Sequence, residues 1–325
     1  MLNLTMRHLE RSLEHNESFS MTHIDSNDIF QAMRQQEHTD YKCFDYLLRR
    51  EVKNGTNLEE DEVIDDSCRQ RMCDWSYRIV DHFNGNRDLV FSSFNLLNRF
   101  LDKCSCDRTA FKLAAMTTLY LSIKINCRKP VTIETFANLS RNEFQVEHIQ
   151  EMEGIILQAL CWRVNPPTAA SFIHLLHVQL PSRIKSSVKQ TILQRSCFFS
   201  EISLFDYFFV TQKSSTIALA SITNALEGID SKILSPLVKE EFITSMTDLV
   251  GCDRVLLQTC RQRLWDLYSQ SAQFQQHDLK FLVSREIQDS SDKNTFHKEF
   301  HNMSTTSSPI CVSSFGHKDD QYEDD

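Results

Sequence analysis

The amino-acid sequence predicts an all-α protein, and two observations carry the prediction. Glycine and proline contribute only six residues each to a chain of 325, about a third of their share in an average protein. Tight turns depend on these two residues, so their scarcity favours helices over sheets. Apolar residues also recur at helical spacing, as in Met72, Trp75, Ile79 and Phe83, which share one face of a helix.

A first helix is expected over residues 25–38, where Asp25 or Asn27 can act as the N-cap. The linker that follows contains NGTNLEEDE, a run of turn-forming and acidic residues. Residues 1–60 are therefore expected to form an N-terminal extension with one helix.

Five further helices, connected by short loops, are expected to form a bundle over residues 61–165. The first carries the apolar stripe described above, and Asp88 can cap the second. The third is the almost unbroken apolar run FKLAAMTTLYLSIKIN. Thr132 can cap a short fourth helix, while Ser140 and Glu143 can form a capping box for the fifth. The fifth helix ends at WRVNPPT, because proline cannot continue a helix.

Helical segments resume after this bundle and again number five within residues 166–272, with glycine and proline at or near the breaks between them. Two sets of five helices suggest a structural repeat, although the halves show no residue-level match. The segments of this second set are 168–179, 183–208, 214–227, 236–248 and 252–271.

The composition changes after the second set of helices. Residues 285–325 are rich in Ser, Thr and Asp and are expected to be a disordered tail.

Composition and charge exclude several classes of protein. The net charge of −9 disfavours a nucleic-acid partner, which would require a basic surface. No apolar run approaches the roughly 20 residues that cross a bilayer, so no membrane association is expected. The eleven cysteines are scattered and no secretory leader precedes them, which indicates reduced intracellular thiols.

The sequence lacks the common motifs of catalysis. The chain has no glycine-rich phosphate loop, no G-x-S-x-G and no H-E-x-x-H. His174 and His177 are three residues apart and can share a metal ion, but no third ligand accompanies them at a typical spacing. We therefore expect no catalytic residues, no metal and no cofactor.

Two charged residues interrupt the predicted apolar faces. Lys124 ends the third helix between two isoleucines, and Glu153 shares the apolar stripe of the fifth. Periodicity favours an internal ion pair between them, since a buried charge is costly unless it is paired. The alternative is that both lie at the rim of the bundle and present charge to a partner protein. Arg69 and Asn98, on the first and second helices, raise a similar question.

Five segments of the chain form a recognisable series: RQRMCDW (69–75), LLNRFLD (96–102), LAAMTTLYLSIK (113–124), EMEGIILQALCWRVNPPT (151–168) and SEISLFDYFF (200–209). Their order and spacing resemble those of the cyclin family, and the resemblance covers roughly residues 25–270. The N-terminal segments IFQAMRQQE and TDYKCFDYL resemble those of D-type and related cell-cycle cyclins.

The resemblance implies two tandem cyclin folds of five helices each, an N-terminal cyclin box at 61–165 and a C-terminal cyclin fold at 166–272. It also implies a protein that is not an enzyme itself. Cyclins bind and activate a cyclin-dependent protein serine/threonine kinase as a heterodimer, which controls cell-cycle progression in the nucleus and cytoplasm. The alternative is a cyclin-fold transcription-related or scaffold protein without direct kinase activation. A DNA-binding member of that group should be basic, and this chain is acidic.

The resemblance assigns kinase binding to Lys124, Glu153 and Ile125. In cyclins a lysine that ends the third helix and a glutamate on the fifth are the central polar contacts to the kinase, which favours the rim interpretation. The acidic pair that commonly follows the family's lysine is absent, since Ile125, Asn126 and Cys127 occupy those positions. Kinase choice or affinity is expected to differ accordingly.

The resemblance also points to an internal brace between Arg69 and Asn98. The usual partner of this arginine in cyclins is an aspartate. An amide accepts a hydrogen bond from guanidinium but cannot neutralise its charge, so a weaker brace is expected.

The resemblance further implies a possible docking patch for substrate or inhibitor peptides at Met72, Trp75 and Lys112, with Cys68 and Arg71 beside them. Two of these five residues are basic, which disfavours ordinary docking of an Arg-x-Leu peptide. Core packing is the commoner role for a tryptophan at the position of Trp75.

The tail contains Ser308 followed by proline, a candidate site of proline-directed phosphorylation. Its composition resembles that of tails that promote degradation. The alternative is a passive, solvated end of the chain.

Overall fold

The computed structural model describes residues 23–48, 64–141 and 143–271, and all regular elements within these ranges are helical. The all-α prediction is confirmed, as is the arrangement of two successive sets of five helices. The predicted tail at 285–325 lies outside the described residues. The helices are α1 (His23–His38), α2 (Asp66–His82), α3 (Asp88–Lys103), α4 (Arg108–Asn126), α5 (Ile133–Leu139), α6 (Val146–Ala159), α7 (Ala169–Val178), α8 (Ser186–Ile202), α9 (Ser214–Glu227), α10 (Pro236–Val250) and α11 (Arg254–Gln270).

Short polar side chains fix the starts of several helices. Thr132 accepts a hydrogen bond from the backbone N–H of Thr135 at the start of α5, as predicted. Asp65 and Asp107 cap α2 and α4 in the same way, with N···O distances of 2.8 and 2.7 Å. Each bond satisfies a backbone donor that has no partner within its own helix.

Other predicted helix starts are wrong. Helix α1 begins at His23, ahead of both proposed caps. Asp88 is not the cap of α3, because its carboxylate accepts a hydrogen bond of 2.7 Å from the Thr168 hydroxyl. The capping box of α6 is formed by Gln145 and His148, while the Ser140 hydroxyl accepts from the N–H of Phe144.

The helix predicted over 183–208 is also too long. Helix α8 ends at Ile202, and the chain continues as two 3-10 turns, Ser203–Phe205 and Tyr207–Thr211. These turns place Leu204 and Phe205 in the core of the first bundle. The second bundle therefore contributes apolar side chains to the first.

Each bundle is built around its third helix. In α4, eleven of 19 residues are buried, and in α9, thirteen of 14. A helix that is apolar or small on every side is stable only when neighbours surround it. Helices α3 and α6 pack against α4, and α7, α8 and α11 pack against α9.

Helix α1 belongs to the core of the second bundle, although the first bundle follows it in sequence. Phe30 packs edge-to-face on Phe172 of α7, with ring centroids 5.4 Å apart. The Glu37 carboxylate accepts hydrogen bonds from the backbone N–H (3.0 Å) and hydroxyl (2.5 Å) of Ser215 at the start of α9. Arg34 Nη1 donates to the carbonyl of Leu249 at the end of α10. Opposite charges thus meet the two helix ends that favour them.

Within the described ranges, no helix has both the length and the hydropathy that crossing a membrane requires.

Candidate functional site

The candidate site lies where α4 leaves the core of the first bundle. The helix is buried without interruption from Ala114 to Ile123. Lys124 follows in its last turn, and the side chain is 47% exposed. A cation at a helix C-terminus also interacts favourably with the helix dipole. The lysine therefore stands at the rim of the bundle.

Glu153 on the neighbouring helix α6 is the partner of this lysine. Lys124 Nζ donates to Glu153 Oε1 at 2.7 Å, and the carboxylate side chain is only 14% exposed. The hydrogen bond to Glu153 raises the pKa of Lys124, against a smaller opposing effect of burial. The ring of Tyr120 lies beneath the ammonium, 5.6 Å from Nζ.

The two interpretations of the sequence each describe part of this arrangement. The ion pair within the fold exists, as periodicity favoured, while Lys124 is open to solvent, as the rim interpretation expects. The pair can also offer more bonds than it uses. An ammonium has three N–H donors and a carboxylate has two acceptor oxygens, and the pair occupies one donor and one oxygen.

The surroundings of the pair leave room for a partner. Gly154 follows Glu153 on α6, and nothing lies within 4 Å of the position that a Cβ would take there. Ile125 and Leu157 are partly buried at the edge of the first core and expose the rest of their side chains. The site thus combines an accessible charge pair with adjacent apolar surface.

The predicted brace between Arg69 and Asn98 is present and buried. Arg69 is 2% exposed, and its Nη1 donates to Asn98 Oδ1 at 2.7 Å. The ring of Phe94 lies 4.7 Å from the guanidinium carbon. The Nε of Arg69 has no hydrogen-bond partner in the structure. Whether the amide weakens the brace stays a prediction.

The residues of the predicted docking patch are largely engaged elsewhere. Met72 is buried in the first core, and Trp75 is half-buried, edge-to-face with Phe136 at 6.2 Å between centroids. Lys112 forms an ion pair with Glu143. The structure therefore leaves little open apolar surface at these positions, and peptide docking there stays a prediction.

The remaining candidate residues do not form a centre. His177 bonds to the carbonyl of Lys189 through Nε2 at 2.8 Å, while His174 on the same helix is exposed. Among residues 23–48, 64–141 and 143–271, no three His, Cys, Asp or Glu side chains are grouped to hold a metal ion. Ser308 lies outside the described residues.

Sequence reasoning missed a charge cluster that joins the two bundles. Arg87, just before α3, donates through Nε to Glu201 of α8 at 2.8 Å and through Nη1 to Asp81 at 2.6 Å. Its guanidinium lies over the ring of Tyr77, 4.4 Å from the centroid. Glu201 falls in the quoted segment SEISLFDYFF, but nothing in the spacing connects it with Arg87, 114 residues away.

Comparison with known proteins covers both bundles. The family model of the cyclin N-terminal domain matches residues 28–165, and that of the cyclin C-terminal domain matches 167–308. G2/mitotic-specific cyclin-B3 of Mus musculus is 23% identical over 218 residues, which are 67% of this chain and 14% of that protein. G1/S-specific cyclin-D1 of Danio rerio is 24% identical over 211 residues, 64% of this chain and 72% of that protein.

A solved structure gives the same result for the fold. The X-ray structure of a viral cyclin from herpesvirus saimiri aligns with a TM-score of 0.50 at 18% identity, over 68% of this chain and 97% of that chain. The matched region is a small part of cyclin-B3 and most of cyclin-D1.

The described residues form two helical domains in tandem, each of five helices around a buried third helix. Both cyclin domain models match this architecture in order along the chain. The chain belongs to the cyclin family.

Proposed function

We propose that this cyclin binds and activates a cyclin-dependent protein serine/threonine kinase and thereby controls cell-cycle progression. The observation that carries the proposal is the Lys124–Glu153 pair, because its two residues match the lysine and the glutamate to which the resemblance assigns kinase contact. Its exposed ammonium and the open surface beside Gly154 support a role in contacting another protein.

The proposed interface uses helices α4 and α6 of the first bundle. Ile125 and Leu157 contribute apolar area, which provides most of the affinity in protein interfaces. Lys124 and Glu153 fix the register, because charged groups suppress wrong alignments more than they add affinity. Since the two residues already hold each other, the pair is preorganised and loses little side-chain entropy on binding.

Activation then follows from a shift in the kinase's own equilibrium. The cyclin stabilises the kinase state in which the glutamate of the αC helix pairs with the lysine of strand β3. In this proposal the cyclin contributes binding energy and no chemical group. The kinase is the only enzyme of the heterodimer.

The names of the relatives support a role in the cell cycle, since cyclin-B3 is described as G2/mitotic-specific and cyclin-D1 as G1/S-specific. We propose that the heterodimer acts in the nucleus and cytoplasm, as the resemblance to cyclins implies. Substrate or inhibitor peptides are further partners of such a complex.

The test is a swap of charges, Lys124→Glu together with Glu153→Lys. The swap keeps an ion pair within the fold, so the helix content should be unchanged in circular dichroism. It reverses the charges that a partner meets, and we expect kinase capture from a cell extract, and phosphorylation by the captured material, to fall at least about tenfold.

The matched control is the swap Lys112→Glu with Glu143→Lys. This second pair joins the same helix α4 to the loop before α6 and is also exposed. It should leave kinase capture at the wild-type level. Unchanged capture by the Lys124 and Glu153 swap would refute the assignment of the interface.

A further inference from the structure

A cavity of about 340 Å³ lies at the junction of the two bundles. Its walls come from the end of α1, the segment after it, α2, α3, the 3-10 turns after α8 and the start of α9. This volume falls at the lower end of the range that small-molecule sites occupy in proteins. The cavity is separate from the proposed kinase interface, and none of its lining residues lies on α4 or α6.

Arg69 lines this cavity with a charge that the described residues do not neutralise. It is 2% exposed, donates a hydrogen bond through Nη1 to the amide oxygen of Asn98, and leaves Nε unsatisfied. None of the ion pairs formed by the described residues includes Arg69. Asp66 is near enough to interact electrostatically with Arg69, but the two do not pair, and burial raises the pKa of the Asp66 carboxyl. A buried guanidinium without a counter-ion is costly.

The rest of the lining adds positive charge. Lys42 and Lys213 line the cavity and are exposed to solvent. The cavity therefore opens to solvent beside these two lysines. Glu37 is the only carboxylate among the described lining residues, and both of its oxygens are bonded to Ser215. His38 also lines the cavity, and its pKa is lowered first by burial and then by the charges of Lys213, Arg34 and Lys42. The cavity is therefore cationic in a chain whose net charge is −9.

The polar groups inside the cavity match an oxygen-rich ligand. Asn95, 8% exposed, donates through Nδ2 to the carbonyl of Tyr41 and leaves Oδ1 without a partner. Guanidinium presents its N–H donors in a planar fork that fits the two oxygens of a carboxylate or phosphate. A protonated oxygen or hydroxyl of the same ligand would meet the Asn95 oxygen.

We propose that this cavity binds a small oxyanion of the carboxylate or phosphate type, with Arg69 as its buried anchor and Lys42 and Lys213 at its entrance. The ligand supplies the counter-charge that Asn98 does not. By filling the junction it stabilises the contact between the two bundles. The proposal concerns the free cyclin and does not depend on kinase binding.

The test measures thermal unfolding of the full chain in inorganic phosphate or malonate, at an ionic strength held constant with chloride. For the wild type we expect a saturable rise of at least about 2 °C in the unfolding midpoint. Comparing the two anions shows whether the site prefers phosphate or carboxylate. A saturable response to either one supports the site.

The decisive variant is Asn98→Asp, which places a carboxylate of the protein itself beside Arg69. Its midpoint in chloride alone should exceed that of the wild type, and the anions should then raise it no further. The matched control is Asn138→Asp, an exposed position on α5 with the same change in charge. This control should respond to the anions as the wild type does.

Lys213→Gln is a second variant, at an exposed position where folding is not at risk. It should raise the anion concentration at half-saturation about threefold or more, because it removes one cation from the entrance. The proposal is overturned if the wild type does not respond, if Asn98→Asp and the wild type respond equally, or if Lys213→Gln leaves half-saturation unchanged.

Discussion

Arg87 and Glu201 form an ion pair across the junction of the two bundles, with 2.8 Å between Nε and Oε2. Both side chains are largely covered, at 12% and 19% exposure. The two bundles are thus joined by a charge pair in addition to the apolar residues of the 3-10 turns.

Replacement of Arg87 by methionine should destabilise the protein strongly. The change leaves Glu201 and Asp81 without their common partner, and removing one member of a buried pair costs about 3 kcal/mol or more. Urea unfolding measures the difference. Arg78→Met is the matched control, because Arg78 pairs with Asp74 on the surface of α2 and such pairs contribute less than about 1 kcal/mol. Equal losses in the two variants would contradict the structural role of Arg87.

Glu201 should make the stability depend on pH between about 4.5 and 7. Burial raises the pKa of this carboxyl to about 7, although the charge of Arg87 opposes the rise. The folded chain then holds the proton more tightly than the unfolded chain does. This contribution to stability is complete below the ordinary value near 4.5 and is lost as the pH rises through about 7.

Glu201→Gln tests this expectation, because an amide does not titrate. The free energy of unfolding of the variant should fall less than that of the wild type between pH 4.5 and 7, as measured by urea unfolding at each pH. Glu241→Gln, at an exposed position, should keep the wild-type slope. Identical slopes for Glu201→Gln and the wild type would show that Glu201 is not the group responsible.

Truncation of Phe30 should destabilise the second bundle, although Phe30 lies far from it in sequence. The side chain is 2% exposed against Phe172, and removing a buried phenylalanine ring costs about 3–5 kcal/mol. Phe44→Ala is the control, because Phe44 is 36% exposed and should cost much less. In the Phe30→Ala variant, hydrogen exchange should show that the backbone amides of α7 and α9 lose protection first. Loss confined to α1 would argue against its place in the core.

The residues after Lys124 should influence which kinase is bound. Asn126→Asp with Cys127→Asp introduces an acidic pair next to the proposed interface, where the resemblance to cyclins leads us to expect one. We expect the set of kinases captured from a cell extract, identified by mass spectrometry, to change, because charge at an interface acts mainly on specificity. Asn138→Asp again provides a control for added charge. An unchanged set would locate the specificity elsewhere.

The succession of helices could be predicted because each helix is encoded locally. The spacing of Met72, Trp75 and Ile79 and the cap at Thr132 depend on residues within one or two turns. The end of α8 at Ile202 could not be predicted, since the turns that follow it are stabilised by the first bundle, where Phe205 stacks on Tyr77.

Sequence alone is enough to predict the helical class, the two sets of five helices and the positions of Lys124 and Glu153, because periodicity and family motifs are properties of the chain. The environment of those residues depends on the tertiary structure. That structure exposed Lys124 while covering Glu153, brought Arg87 to Glu201, and left Arg69 beside an amide in a cationic cavity. Burial and charge balance depend on neighbours from distant parts of the chain, and only the packed fold brings those neighbours together.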